Sequence, residues 1–244
     1  EVVDDNLLNF LEEHNPNQIR GLVDKPFPHL ILLVEFDDLS DRNQKRARKK
    51  AAKTLKKFAT QHKIEIDEEA KERMWKIRRS TAAVIWQMVG NSKALPVIDD
   101  GTVPLERLSE FLEGANMLFD RHRLTAAIWG HAGDGNLHIN PFFDLSQVGD
   151  RQKVFKVMEE YYNLVLSLGG TTTGEHNDGR LRGPYLPNLY GPDMYEVFRR
   201  VKQVFDPYNT LNPGVKIDVT LADIKPLLRH EYSVSHLYDH MPRT

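Results

Sequence analysis

The chain has 244 residues, of which 40% are hydrophobic and 28% charged, the composition of a globular protein long enough to bury a substantial core. Its 33 basic and 35 acidic residues leave a formal net charge of −2, so there is no electrostatic case for nucleic acid as the main partner. The absence of cysteine excludes disulfides, thiolate zinc sites, cysteine nucleophiles and an iron–sulfur cluster bound by this chain alone.

Hydrophobic periodicity and capping residues divide the chain into alternating helices and short strands. In chain order they predict a helix at 5–13, a buried strand at 28–36, a basic helix ending near 62, a helix at 67–88, an extended segment at 96–103, a helix opened by Pro104, a hairpin at 124–143, and helices at 149–168 and 192–205. We interpret the basic helix as a solvated face, because the rest of the chain offsets its charge.

This order predicts an α+β fold with an antiparallel sheet and helices packed mainly on one face. No G-x-G-x-x-G or P-loop motif occurs, so the chain by itself does not resemble a nucleotide-binding domain. No apolar run approaches the roughly 20 residues of a membrane span. Because the first residue is Glu1 rather than Met, we expect further sequence upstream.

The hairpin carries the most informative motif, Gly-His-Ala-Gly-Asp-Gly-Asn-Leu-His-Ile-Asn at 130–140. A two-residue turn at Asp134-Gly135 predicts that His131 lies directly opposite His138. The Cβ atoms of such a pair are about 5 Å apart, which suits two imidazoles that share a metal ion. A hairpin whose two histidines only form hydrogen bonds is the alternative. Alternation separates a core face from a site face, the latter containing Trp129, His131, His138 and Asn140.

A second polar motif, Gly-Glu-His-Asn-Asp-Gly, occupies 174–179. Glu175 can complete a His₂Glu metal set, and His176 can act as a general base. Taken alone, the motif favours a polar turn with an incidental Glu-His pair. Arginines that suit carboxylate binding are Arg78, Arg180 and Arg182, although a surface salt bridge is the commoner use of each.

Three motifs in order resemble the C-terminal domain of FAD-linked oxidases, the glycolate oxidase, D-lactate dehydrogenase and D-2-hydroxyglutarate dehydrogenase group. They are Gly-His-Ala-Gly-Asp-Gly-Asn-Leu-His, Thr-Gly-Glu-His at 173–176, and Phe-Asp-Pro-Tyr-Asn-Thr-Leu-Asn-Pro-Gly at 205–214. The resemblance implies a ferredoxin-like substrate domain at 28–217, with a C-terminal helical segment. Residues 1–27 are then a helix and linker from an FAD-binding domain absent from this sequence, and 218–244 are a C-terminal extension.

The resemblance also implies the chemistry. A small D-2-hydroxy acid is oxidised to the 2-oxo acid, and a hydride passes to FAD held by an N-terminal domain of the same polypeptide. A divalent metal, zinc by expectation, is held by residues matching His131, His138 and Glu175, and it binds the substrate's carboxylate and hydroxyl. The residue matching His176 is the base, while those matching Asn140 and Arg78 bind substrate. We expect this chain to be inactive alone.

Departures from the family pattern affect the expected partners. The loop reads Glu-His-Asn-Asp-Gly rather than Glu-His-Gly, which resembles longer members fused to an iron–sulfur segment. An electron-acceptor protein is a further expected partner, and we expect a cytoplasmic location with peripheral attachment to a membrane through partners. Some hydroxyglutarate-type members have a substrate-binding lysine that has no match near Ile98 in this sequence, and this weighs against that substrate.

Two other functions remain alternatives at this stage. A self-contained metallohydrolase could use His131, His138 and Glu175 with a bound water and no flavin. A domain that has lost its chemistry could serve only in assembly, although the retained Glu175-His176 pair argues against that.

Overall fold

The computed structural model describes residues 1–37, 40–58, 61–86 and 91–228. The chain divides into two compact units, Glu1–Val84 and Ile85–Thr244. Its strands are β1 (Val2–Asp4), β2 (Leu30–Leu32), β3 (Ser92–Ala94), β4 (Gly101–Thr102), β5 (Ala126–His131) and β6 (Asn136–Asp144). Its helices are α1 (Asp5–His14), α2 (Asp41–Leu55), α3 (Glu68–Trp86), α4 (Leu108–His122), α5 (Val148–Ser167), α6 (Leu186–Phe205) and α7 (Leu221–Ile224). Among the helices in the described ranges, none is both long and apolar enough to cross a membrane.

In the first unit, β1 pairs antiparallel with β2, with Val3 opposite Ile31. The Asp4 side chain caps α1 by accepting a hydrogen bond from the Leu7 N–H at 2.9 Å, which fixes the predicted helix start. The prediction of a long buried strand at 28–36 is wrong. Only Leu30–Leu32 forms a strand, and the outer two leucines are 43% and 61% exposed, because an apolar run does not itself determine which faces are covered.

The basic helix of the first unit is α2, and its described length buries no residue. The interpretation of a solvated face is therefore confirmed. Its predicted end near 62 is too late, since α2 ends at Leu55 and a single 3₁₀ turn follows at Lys56–Phe58. Positions 59–60, and positions 87–88 at the predicted end of the next helix, lie outside the described residues.

In the second unit, β6 is the central strand. It pairs antiparallel with β5 and β4 near its start and with β3 near its end. Helix α5 contacts α4, β4 and β6, so one layer of helices covers this part of the sheet. The fully buried side chains of this core include Phe111, Leu137, Ile139, Phe143, Tyr161 and Tyr162. The predicted α+β class, with an antiparallel sheet and helices packed on it, is confirmed.

The hairpin has a longer loop than predicted. A 3₁₀ turn covers Ala132–Asp134 and Gly135 follows in the left-handed conformation, so His131 lies opposite Asn136, and His138 opposite Trp129. The predicted register is therefore wrong by two residues. A shift of two preserves the faces, because strand side chains alternate with period two.

The last long helix, α6, is interrupted at Gly191, whose φ of 76° and ψ of 164° are not helical. Its second part therefore starts at Pro192, as predicted. After α6, the Asp206 carboxylate accepts hydrogen bonds from Lys202 Nζ at 2.5 Å, the Thr210 N–H at 2.8 Å and the Leu211 N–H at 2.9 Å. The Lys202 bond is the largest cause that lowers the pKa of Asp206, so this carboxylate stays charged and holds the turn.

The C-terminal helical segment continues into α7, where Thr220 and Asp223 form a capping box. Residues 229–244 lie outside the described part of the chain. The division into 1–27, 28–217 and 218–244 stays a prediction.

Gly135 tests the hairpin loop. Its φ is 69°, and a Cβ there would clash with the Val103 carbonyl oxygen. We expect Gly135→Ala to lower the free energy of unfolding by about 2 kcal/mol, from left-handed strain plus the clash. Gly133→Ala is the matched control, since a Cβ at Gly133 meets nothing within 4 Å. Urea denaturation followed by circular dichroism measures both, and equal effects would contradict this account of the loop.

Candidate active site

The hairpin brings His131 and His138 together on one face. His131 ends β5 and is partly exposed, whereas His138 lies within β6 and is buried. Their ring centroids are 5.5 Å apart at an interplanar angle of 83°. The predicted proximity therefore holds, although the two side chains are diagonal neighbours rather than directly opposed.

A carboxylate from the following loop lies among three imidazoles. Glu175 Oε1 is 3.1 Å from Nε2 of His131, 3.1 Å from Nε2 of His138 and 3.7 Å from Nε2 of His176. Four residues named from two separate sequence motifs thus meet at one point. All three rings turn the same nitrogen, Nε2, toward that oxygen.

This donor set fits a divalent cation. Imidazole nitrogen and carboxylate oxygen are the donors of His/Glu zinc sites, and here they converge from two elements. Asp100 also lies within the cluster, since one ligand atom each from Asp100, His138, Glu175 and His176 falls within 4.8 Å of the others. Both oxygens of the Asp100 carboxylate, however, already accept hydrogen bonds.

Those hydrogen bonds anchor the Thr-Gly-Glu-His loop. The buried Asp100 carboxylate accepts from Thr173 Oγ1 at 2.5 Å, from the Gly174 N–H at 3.0 Å and from the His176 N–H at 2.8 Å. The Glu175 N–H lies 3.1 Å from Oδ2. One carboxylate thus holds three consecutive peptide groups of the loop.

Asn136 adds a side-chain hydrogen bond to the same carboxylate, from Nδ2 to Oδ1 at 2.9 Å. Burial raises the pKa of Asp100, but the hydrogen bonds from Thr173, His176, Asn136 and Glu175 together lower it from 3.8 to about 2. Asp100 is therefore ionised at neutral pH. It also has a positive φ of 74°, a conformation that Asp tolerates better than most residues.

The preceding residue, Asp99, contacts the rings on their other side. Its Oδ1 lies 3.2 Å from His138 Nδ1, and its Oδ2 lies 2.9 Å from His176 Nδ1. The His138 and His176 rings are stacked, with centroids 4.9 Å apart and an interplanar angle of 12°. Sequence reasoning gave no role to Asp99, and the only signal was two adjacent aspartates before Gly101.

The buried Arg182 side chain links the backbone at Asp99 to the backbone of the loop that carries His176. It is only 7% exposed, and its Nε and Nη2 donate to the Asp99 carbonyl at 3.2 and 2.8 Å, while Nη1 donates to the Asn177 carbonyl at 3.0 Å. The surface salt bridge expected for Arg182 is therefore wrong, because two backbone carbonyls of the site take its donors. Arg180 donates to the Gly214 carbonyl at 3.2 Å rather than to a carboxylate.

Residues 1–215 match the family described as FAD linked oxidases, C-terminal domain. The chain belongs to this family. The predicted resemblance is confirmed, whereas a fusion to an iron–sulfur segment is not shown.

Individual relatives in this family have related names. The chain is 32% identical over 143 residues to a D-2-hydroxyglutarate dehydrogenase of Pantoea ananatis, covering 59% of this chain and 14% of that protein. It is 31% identical over 186 residues to a D-lactate dehydrogenase of Archaeoglobus fulgidus, covering 76% and 38%. It is 28% identical over 184 residues to glycolate oxidase subunit GlcD of Bacillus subtilis, covering 75% and 38%. The chain thus spans less than half the length of each of these relatives.

The two remaining predicted residues of this family domain have different surroundings. Asn140 is buried on the face that carries His138, and its Oδ1 accepts no hydrogen bond from the described residues. Arg78 belongs to the first unit, where its Nε donates to Glu1 Oε2 at 2.6 Å. Substrate binding by either residue stays a prediction.

Asp100→Asn tests the loop anchor. An amide group presents N–H donors toward the N–H groups of the loop, so we expect the free energy of unfolding to fall by about 3 kcal/mol. Because the folded pKa lies below the usual 3.8, the stabilisation is complete above about pH 4 and is lost as the pH falls toward about 2.

Denaturation at several pH values measures this effect. The difference in the free energy of unfolding between the wild type and Asp100→Asn should disappear as the pH falls from about 4 toward about 2. Asp134→Asn is the control, because it makes the same change in charge at an exposed position of the hairpin turn. If this difference stays constant down to a pH of about 2, the ionised Asp100 carboxylate is not what anchors the loop.

Proposed function

We propose that this domain forms the substrate side of a flavin-dependent oxidoreductase that converts a D-2-hydroxy acid to the 2-oxo acid. The observation that carries the proposal is the convergence of three imidazole Nε2 atoms on the Glu175 carboxylate, in a chain of the FAD-linked oxidase family. D-2-hydroxyglutarate, D-lactate and glycolate, the compounds in the relatives' names, all carry a hydroxyl beside a carboxylate.

His131, His138 and Glu175 would hold a divalent metal, and their nitrogen and oxygen donors favour zinc. Such an ion, when bound, supplies a Lewis acid for the substrate's carboxylate and hydroxyl oxygens. Asp100 is outside this set because its two oxygens accept hydrogen bonds from the loop and from Asn136.

His176 is the proposed base. Its side chain is 44% exposed, so a substrate can reach it, and its Nδ1 faces Asp99, which leaves Nε2 to accept the hydroxyl proton. As the hydroxyl oxygen loses its proton, a hydride leaves the carbon that bears this hydroxyl, and the product is the 2-oxo acid. FAD, when bound, supplies the hydride acceptor.

Asn140 and Arg78 are the proposed substrate-binding residues. The Asn140 side chain is buried on the face that carries His138, and its Oδ1 accepts no hydrogen bond from the described residues, so it suits a polar group of a ligand. The Arg78 guanidinium suits the substrate carboxylate. The proposed partners are an N-terminal FAD domain of the same polypeptide and an electron acceptor, either an iron–sulfur segment or a separate protein. Peripheral membrane attachment would come through such a partner.

His176→Gln in the full-length protein tests the reaction. Glutamine keeps the size and polarity but cannot take up the proton, so we expect kcat with the preferred D-2-hydroxy acid to fall at least about 100-fold. Reduction of an artificial electron-accepting dye, with D-lactate, glycolate and D-2-hydroxyglutarate in turn, measures it. His29→Gln, at an exposed histidine, should leave kcat unchanged. No oxidation of any 2-hydroxy acid by the wild type would overturn the proposal.

His131→Ala and Glu175→Gln test the metal site. Each removes one ligand, so we expect purified wild-type protein to hold about one divalent ion and each variant to lose most of it. Elemental analysis after dialysis measures the content, with His29→Ala as the control. Equal metal content in all four proteins would contradict the ligand set. Metal-dependent hydrolysis without flavin would instead favour the metallohydrolase.

A further inference from the structure

We propose that Asp99 is a positioning residue that holds the base His176 and the metal-binding His138 on one carboxylate. Metal binding at His138 and orientation of the base at His176 are then coupled through Asp99. This inference rests on the proposed function for the names of the two roles, but the contacts themselves do not depend on it.

Each oxygen of Asp99 serves one ring. Oδ2 lies 2.9 Å from His176 Nδ1 and Oδ1 lies 3.2 Å from His138 Nδ1. The carboxylate side chain is only 9% exposed, so water does not readily replace either ring. The stacking of the two imidazoles follows from this sharing, because two rings on one carboxylate are brought side by side.

The contacts select a tautomer. His138 Nδ1 and Asp99 Oδ1 are buried without a hydrogen-bond partner among the described residues, although they lie only 3.2 Å apart. A carboxylate beside the Nδ1 atom of each neutral ring favours the tautomer that carries the proton there, which leaves the lone pair of Nε2 directed toward Glu175. A metal ligand and a general base both need that lone pair. Without Asp99, the proton is free to move to Nε2, where it blocks both roles.

Asp99 is itself held in place from two sides. The Arg182 guanidinium donates twice to its backbone carbonyl, at 3.2 and 2.8 Å. The next residue, Asp100, is bound to the loop that carries His176. These bonds fix the backbone on which the Asp99 carboxylate stands and the backbone of the loop that carries the base, so the two groups start from fixed positions.

Asp99 is not a candidate ligand in the same set. It contacts the Nδ1 side of His138 and His176, whereas Glu175 lies on their Nε2 side. The Nδ1 and Nε2 atoms of one imidazole point in different directions, so they cannot both face the same ion. Asp99 thus supports the rings in the way that a carboxylate behind a metal-bound histidine does.

The test compares Asp99→Asn with Asp178→Asn in the ¹⁵N-histidine-labelled protein. Asp178 is the matched control, because it is equally buried and close in the fold but binds Lys216 Nζ at 3.0 Å rather than an imidazole. Long-range ¹H–¹⁵N spectra above the titration range of histidine report the tautomer of each ring. We expect wild type and Asp178→Asn to carry the proton on Nδ1 of His138 and His176, and Asp99→Asn to shift it toward Nε2.

Zinc affinity, measured by competition with a chelator, is the second readout. Loss of a carboxylate behind a ligand histidine lowers metal affinity about 10- to 100-fold, so Asp99→Asn should bind zinc that much more weakly than Asp178→Asn. Asp99→Glu keeps the carboxylate, and we expect it to restore the Nδ1 tautomer at least in part, which separates positioning from general loss of structure.

The outcomes distinguish this inference from the proposed function. Unchanged tautomers in a folded Asp99→Asn protein would overturn the role of Asp99, whether or not the wild type oxidises a 2-hydroxy acid. A tautomer shift in a protein without zinc binding or 2-hydroxy acid oxidation would support the positioning role and overturn the proposed function.

Discussion

The site depends on one buried charge. The Asp100 carboxylate collects the N–H groups of 174–176 together with the Thr173 hydroxyl, and these bonds keep it ionised. A buried charge without such partners is costly, so the loop is stable only when it wraps around this side chain. Glu175 and His176 reach the hairpin histidines because their own backbone is bound in that way.

Asp99 and Asp100 perform different tasks although they are adjacent. Asp100 binds peptide groups and sets the path of the loop, while Asp99 contacts imidazole nitrogens. Arg182 contributes a buried positive charge and fixes the Asp99 carbonyl. Because these contacts share residues, we expect their energetic effects to be non-additive.

The three motifs that carried the family resemblance form one structure. The hairpin supplies two imidazoles, the 171–185 loop supplies Glu175 and His176, and the turn after α6 supports that loop from outside. Arg180 donates to the Gly214 carbonyl, and the Lys216 N–H donates to the Gly179 carbonyl at 2.9 Å. The asparagine–proline–glycine turn therefore contributes to the site without supplying a reacting group.

The sequence by itself determined the α+β class and the common face of His131, His138 and Asn140, because capping, alternation and turn chemistry are local. The pair Glu175-His176 became a candidate only through the family resemblance, since the motif taken alone favours a polar turn. Tertiary structure alone decided the hairpin register and the contacts of Asp99, Asp100 and Arg182. The bond from the His176 N–H to Asp100 spans 76 positions, and that from Arg182 to Asp99 spans 83. No local pattern encodes such pairs, since they arise only when separate elements pack and a buried polar group must find its partner.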